Sequence, residues 1–322
     1  MMILNIILLI VGFVLLIKGA DIFVDGASST ASNFKVPKML IGLTIVAFGT
    51  SAPEFAVSIS ALASGSTDMV LGNVIGSSIL NILLILGLAA AIRPISVNDN
   101  TIKKELPLSL LITFALVVLF LDALLGGGEP NQITRGDAFI LILFFLVFLY
   151  YLVSMARQSR NVAEKTKKKE EKPKFTLGKS LLLVAVGIAG IIIGSNLVVD
   201  NATSIAEAIG WSDRLIALTV IAFGTSLPEL VTSVVAARKG EQELAIGNII
   251  GSNIFNICVV LGVPVAIFGT ITPSTFEASD LVMFVGSSVL LFLFAWTTRK
   301  ISRTEGIIML VLFAIYYTII LI

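Results

Sequence analysis

The sequence predicts an all-α membrane protein of ten transmembrane helices, arranged as two inverted-topology repeats of five. Three observations carry that prediction. The chain is 57% hydrophobic and only 13% charged, with a mean hydropathy of +1.02, a composition suited to lipid. Apolar runs of about 20 residues, enough to cross roughly 30 Å of hydrocarbon, recur at 2–20, 38–64, 69–92, 105–122, 137–156, 177–199, 214–237, 243–269, 280–297 and 305–322. Finally, one pair of polar motifs occurs twice, at a constant offset of 175 residues.

The first run lacks the basic flank of a secretory signal, and its repeat partner at 177–195 lies mid-chain, so it reads as a retained helix. The second run carries Gly49-Thr50-Ser51-Ala52-Pro53-Glu54, which returns in the seventh as Gly224-Thr225-Ser226-Leu227-Pro228-Glu229. The third carries Gly72-Asn73-Val74-Ile75-Gly76-Ser77, which returns in the eighth as Gly247-Asn248-Ile249-Ile250-Gly251-Ser252. Residues 41–54 match 216–229 at 10 of 14 positions, and 72–82 match 247–257 at 8 of 11. The chain therefore divides into a first five-helix repeat at 1–156, a basic linker at 157–176 and a second repeat at 177–322. Five is odd, so the second repeat must enter the membrane from the opposite side.

Charge sets the orientation. Of the 22 Lys and Arg, all but Arg135 and Arg214 lie on or beside the odd-numbered loops. The positive-inside rule puts those loops, and the linker, in the cytoplasm of a multi-pass cell-membrane protein with both termini extracellular. The linker reads as a solvated connection or as a contact for anionic lipid or a regulator. The lipid bilayer is the expected surrounding, no nucleic-acid partner is expected, and a monomer suffices for function.

The chain has no histidine and a single cysteine, Cys258. No internal disulfide can form, and soft-metal chemistry is disfavoured relative to ions held by oxygen. Without histidine, and with no Ser–Lys or Asp–Asp pair placed for catalysis, an intramembrane enzyme is not expected, nor any cofactor.

What remains is oxygen chemistry inside the membrane. Pro53 cannot donate to the carbonyl of Gly49, so the second helix should bend or unwind around 47–51 and free carbonyls beside Thr50, Ser51 and Glu54. Helix seven should do the same around Thr225, Ser226 and Glu229. Such backbone is tolerated at this depth only when buried in protein or facing a wet cavity. Glu54 and Glu229 are the only acidic residues well inside apolar runs, each costing about 2.5–3.5 kcal/mol at mid-bilayer. With no basic residue mid-run, the natural compensating charge is a bound cation.

Asn73, Ser77 and Asn81 share a helix face, as do Asn248, Ser252 and Asn256. Their neutral oxygens suit a hard-cation shell. The glycines at 72 and 76, and at 247 and 251, also form small-xxx-small patterns that bring helices close. Asn73 and Asn248 could serve as ligands or as interhelical hydrogen-bonding groups. Thr44, Ser58, Thr219 and Ser233 could line access paths, and Asp21, Asp25 and Asp200 read as interfacial.

The doubled Gly-Thr-Ser-x-Pro-Glu and Gly-Asn-x-Ile-Gly-Ser pair resembles the α-repeats of sodium/calcium exchangers, over essentially the whole membrane domain. The resemblance implies a core of helices two, three, seven and eight, with helices one and six sliding across it during alternating access. It implies Ca2+ ligands at Glu54 and Glu229 with Thr50 and Thr225. It further implies Na+ ligands at Ser51, Ser226, Ser77 and Ser252 and at the carbonyls of Ala47 and Ala222, with Asn81 and Asn256 at the central polar positions. Potassium-dependent members carry an aspartate where Asn256 stands, so a potassium requirement is not expected. The short linker implies a minimal, prokaryotic-type member without a calcium-sensing domain. The transported ions would be Ca2+ and Na+; a Ca2+/H+ exchanger using the same glutamates is the alternative.

Overall fold

The computed structural model describes residues 2–125, 131–166, 172–211, 220, 222–273 and 278–321. In chain order the helices are α1 (Met2–Phe34), α2 (Lys38–Thr50), α3 (Ala52–Ala63), α4 (Thr67–Ile92), α5 (Leu106–Phe120), α6 (Arg135–Thr166), α7 (Leu177–Ala208), α8 (Ala222–Thr225), α9 (Leu227–Lys239), α10 (Gln242–Phe268), α11 (Ala278–Thr298) and α12 (Arg303–Leu321). Two short strands, β1 (Ile95–Ser96) and β2 (Lys300–Ile301), pair antiparallel.

Among the described residues, seven helices are long and apolar enough to cross a membrane, or eight if the broken pair α2–α3 counts as one. The predicted run 105–122 falls on α5, which is entered through a π turn at Thr101–Glu105. The run 214–237 lies partly outside the described residues and otherwise falls on α8 and α9. The first run is longer than its apolar stretch: α1 continues to Phe34. Thirty-three residues at 1.5 Å each give about 50 Å, well beyond the hydrocarbon thickness. The apolar stretches of α4 and α10 are 72% and 78% buried, against 17–33% for the other five long helices. These two are interior helices, and the rest present apolar side chains outward.

The chain forms two compact units, Met1–Pro53 with Ala156–Asn248, and Glu54–Met155 with Ile249–Ile322. Each unit draws on both halves of the sequence.

In the first unit, α1 and α7 pack antiparallel along a glycine seam. A Cβ at Gly12 would lie 3.0 Å from the Gly194 carbonyl, one at Gly19 2.8 Å from Ile191 N, and one at Gly26 2.9 Å from the Ser180 carbonyl. From the other side, a Cβ at Gly187 would sit 2.6 Å from the Phe23 Cβ, and one at Gly194 2.6 Å from Leu16 N. The seven-residue spacing of these glycines keeps them on one stripe, so backbone meets backbone. Beyond the seam, Lys239 Nζ pairs with Asp21 at 2.8 Å and Asp25 at 3.0 Å, Lys174 pairs with Asp25 at 3.0 Å, and Lys38 with Glu241 at 3.0 Å. These ties join α1 to the linker and to the end of α9, and the start of α2 to the turn between α9 and α10.

In the second unit, α4 meets α12 where a Cβ at Gly306 would fall 2.6 Å from the Gly87 carbonyl. The antiparallel pairing of Ile95 with Ile301, and an isolated bridge between Ile133 and Ile271, tie together distant parts of this unit. The small-xxx-small expectation divides here. Gly247 packs on α2, with a Cβ there 3.0 Å from Gly42 Cα, whereas a Cβ at Gly72 or Gly76 would meet nothing within 4 Å among the described residues. Among the described residues, the close approach on α4 is made further along, at Gly87.

Candidate functional site

Pro53 stands second in α3, where a helix needs no N–H from it. Unwinding is therefore confined to one residue: Ser51 adopts φ −83° and ψ 8°, while Ala47–Thr50 stays helical. The expected loosening over 47–51 reduces to a break at Ser51, preceded by an unexpected π turn at Gly42–Val46. The second copy repeats the break at Ser226, φ −90° and ψ 5°, with Pro228 in the first turn of α9. Both breaks rest on α7, Gly49 against Ile188 and Gly224 against Val199. The Gly224 carbonyl, deprived of its helical donor by Pro228, accepts the Ser195 hydroxyl at 3.0 Å.

Around these breaks the first unit gathers a buried polar cluster. Glu229 is fully buried; Ser51 Oγ donates to its Oε1 at 2.9 Å, and its Oε2 has no hydrogen-bond partner among the described residues. Residues 178 positions apart in the chain are thus in direct contact. Thr50 Oγ1 lies 3.1 Å from Asn248 Oδ1 and within reach of the Val46 and Ala47 carbonyls. The Ala47 carbonyl also accepts the Ser51 N–H at 3.0 Å, leaving lone-pair capacity but no vacancy in the helix ladder. Asn248 donates to Ser233 at 2.9 Å. Ser226 is buried, Thr225 half-buried, and Ala222 opens α8 with its side chain outside the described residues.

The second unit holds a matching cluster on α3, α4 and α10. Glu54 is buried, and Asn73 donates to its backbone carbonyl and to Ser58, each at 3.1 Å. Asn73 with Ser58, and Asn248 with Ser233, are therefore the same interhelical hydrogen bond made once in each copy of the motif. Ser77 donates to the Asn73 carbonyl at 2.6 Å and accepts Asn256 Nδ2 at 3.0 Å. Asn81 Nδ2 donates to Asn253 Oδ1 at 3.0 Å. Asn81 Oδ1, Asn256 Oδ1 and Ser252 Oγ are buried with no hydrogen-bond partner among the described residues. Two π turns, Leu80–Leu86 and Asn256–Leu261, begin at this level of α4 and α10 and disturb the carbonyl ladder beside both asparagines.

Of the access-path candidates, Ser58 and Ser233 serve the asparagines, Thr44 spends its hydroxyl on Leu40 of its own helix at 2.7 Å, and Thr219 lies outside the described residues. Asp21 and Asp25 sit in the ion-pair network at the polar end of α1, as interfacial residues would. Among the described residues no three carboxylates, thiols or imidazoles come together, so any cation here draws largely on hydroxyl, amide and carbonyl oxygens.

Four further residues escape a reading of the sequence. Ser195 on α7 and Asn253 on α10 hydrogen-bond to groups of the two clusters, and Thr232 contributes a buried hydroxyl, with no partner among the described residues, one turn from Glu229. Glu105 is buried and accepts the Tyr151 hydroxyl. It follows Lys103 and Lys104 and so has the look of a loop flank; only the π turn that starts the helix at Thr101 draws it inside.

Buried oxygen clusters on broken apolar helices mark a multi-pass membrane protein. The chain belongs to the sodium/calcium exchanger protein family, whose profile matches residues 4–154 and 179–322. Members of this family are antiporters, not enzymes. The sodium/calcium exchanger MaX1 of Methanosarcina acetivorans is 30% identical over 98% of both chains. The Ca2+/H+ antiporter ChaA of Bacillus subtilis is 28% identical over 85% of this chain and 81% of its own. The solved structure of the sodium-calcium exchanger NCX_Mj soaked with Na+ and Sr2+ superposes with a TM-score of 0.83 at 35% identity, covering 98% of each chain.

Proposed function

We propose that this protein exchanges Na+ for Ca2+ across the cell membrane by alternating access to one shared site. The observation that carries the proposal is Glu229: fully buried, touched by the Ser51 hydroxyl, and with its second oxygen lacking any donor among the described residues. A buried carboxylate without a basic partner calls for a cation. Glu54 occupies the equivalent place in the first copy of the motif, and two carboxylates balance one divalent ion. Thr50 and Thr225 complete the Ca2+ set. Ser51, Ser226, Ser77 and Ser252, with the carbonyls of Ala47 and Ala222, hold Na+, and Asn81 and Asn256 contribute at the centre.

Exchange then needs two conditions only. Ca2+ and Na+ compete for the same carboxylates, and the closed form requires a filled site, because burying empty carboxylates is too costly. The two sequence halves act as inverted repeats, with ten spans, both termini outside and residues 157–176 in the cytoplasm. A single chain suffices. The likeness to a Ca2+/H+ antiporter supports a second reading, in which Glu54 and Glu229 release Ca2+ by taking up protons. The hydroxyl oxygens at Thr50, Ser51 and Ser77 favour Na+, since a proton needs no such cage.

The test is Ca2+ uptake into liposomes loaded with Na+ and carrying the purified protein, with pH clamped. Uptake that disappears when Na+ is equal on both sides is expected. Uptake indifferent to Na+ but driven by a pH gradient would replace sodium with protons in the mechanism.

A further inference from the structure

The central amides of α4 and α10 are each held by a residue of the other helix, and the two holds are unequal. Asn81 of α4 gives its amide hydrogen to Asn253 Oδ1 of α10 at 3.0 Å, while Asn256 of α10 gives its own to Ser77 Oγ of α4 at 3.0 Å. Each amide nitrogen is thereby committed, and each amide oxygen is left buried without a donor. An amide offers a carbonyl oxygen on one side and an NH2 on the other, so fixing the nitrogen fixes where the oxygen lies. Buried unpartnered oxygens are expensive unless something else supplies the positive charge.

The residue that holds Asn81 has no equivalent in the first copy of the motif. Asn253 aligns at the 175-residue offset with Ser78, and Ser78 spends its hydroxyl on the Val74 carbonyl at 2.7 Å. A serine in the place of Asn253 would bond to its own helix and leave Asn81 free to rotate. With NH2 turned inward, Asn81 would present a donor to a cation.

We infer that Asn253 is a positioning residue: it locks the Asn81 amide with its carbonyl oxygen presented to the transported cation. The role rests on the proposed ion site, and Asn253 itself touches no ion. Its loss lets Asn81 rotate and removes one neutral ligand without removing charge. Apparent Ca2+ affinity should therefore fall by roughly three- to tenfold, the scale of one hydrogen-bond-sized interaction, with the maximal rate kept.

The experiment is Ca2+ uptake by the full-length protein in Na+-loaded liposomes, for Asn253→Ala, Asn253→Asp, Asn81→Ala, the Asn253→Ala/Asn81→Ala pair and Glu54→Gln. Asn253→Asp keeps an acceptor oxygen for Asn81 and should recover affinity toward the unmodified protein. The double variant should be no worse than Asn81→Ala alone, since Asn253 acts only through Asn81. Additive losses in the double variant would make Asn253 a packing residue and overturn the role. So would unchanged affinity in Asn253→Ala while Asn81→Ala is impaired. Normal uptake by Glu54→Gln would remove the ion site itself, and this role with it.

Discussion

The Ser195 hydroxyl donates to the Gly224 carbonyl at 3.0 Å, supplying the hydrogen bond that Pro228 cannot. The first copy of the motif has no such donor at the matching place, because the position equivalent to Ser195 is Ala20. Ser195→Ala should destabilise the protein by about 1 kcal/mol, the worth of one buried hydrogen bond in a membrane interior. Ser195→Thr retains the donor and should lose less. Thermal unfolding of the two variants in detergent distinguishes these outcomes, and equal midpoints would show that water or another group caps the carbonyl.

Glu229→Gln keeps the acceptor for Ser51 but removes the charge. Ca2+ uptake should fall by at least about a hundredfold, since the buried carboxylate is the main electrostatic attraction for a divalent ion. Glu54→Gln should behave alike. Normal uptake by either variant would refute the site.

Ser77 and Ser252 are equivalent in sequence but differ in engagement. Ser77 accepts the Asn256 amide, whereas Ser252 Oγ has no partner among the described residues. Ser252→Ala should therefore raise only the Na+ concentration needed to drive exchange. Ser77→Ala should do the same and also weaken Ca2+, by releasing Asn256. Titrating uptake against each ion in turn separates the two; identical behaviour would mean that the Asn256 hydrogen bond has no bearing on binding.

Glycine substitutions should separate the seam from the motif. Gly187→Ala places a methyl 2.6 Å from the Phe23 Cβ, while Gly72→Ala meets nothing within 4 Å. The first should cost about 1–3 kcal/mol through overpacking, and the second should be close to neutral. Yield and thermal stability of the purified variants test the contrast, which fails if Gly72→Ala is the more damaging.

Much of this molecule is legible in its sequence because the bilayer leaves few choices. Long apolar runs must be helices, and a glutamate among them needs a reason. Spacing also locates the buried hydroxyls and amides, and the doubled motif marks Asn73 and Asn248 as equivalent without naming a partner for either. Spacing cannot show the π turns. Each inserts a residue into the helical count and rotates the side chains beyond it, so Asn81 and Asn256 open irregular segments that a 3.6-residue period does not describe. Nor can it find Ser195 or Asn253, whose importance lies in a partner on another helix.

The antiparallel course of α1 and α7 has an electrical side. The helices, of 33 and 32 residues, approach backbone to backbone between residues 12–26 and 180–198, so two macrodipoles of nearly equal length oppose one another. Moving the pair together through the membrane field would displace almost no net backbone charge. A membrane potential acts at about 2.3 kcal/mol per elementary charge per 100 mV, and on this pair's backbone it finds little to pull. Voltage sensitivity in transport would then report the ions and the carboxylates that hold them, rather than the peptide scaffold that carries the motion.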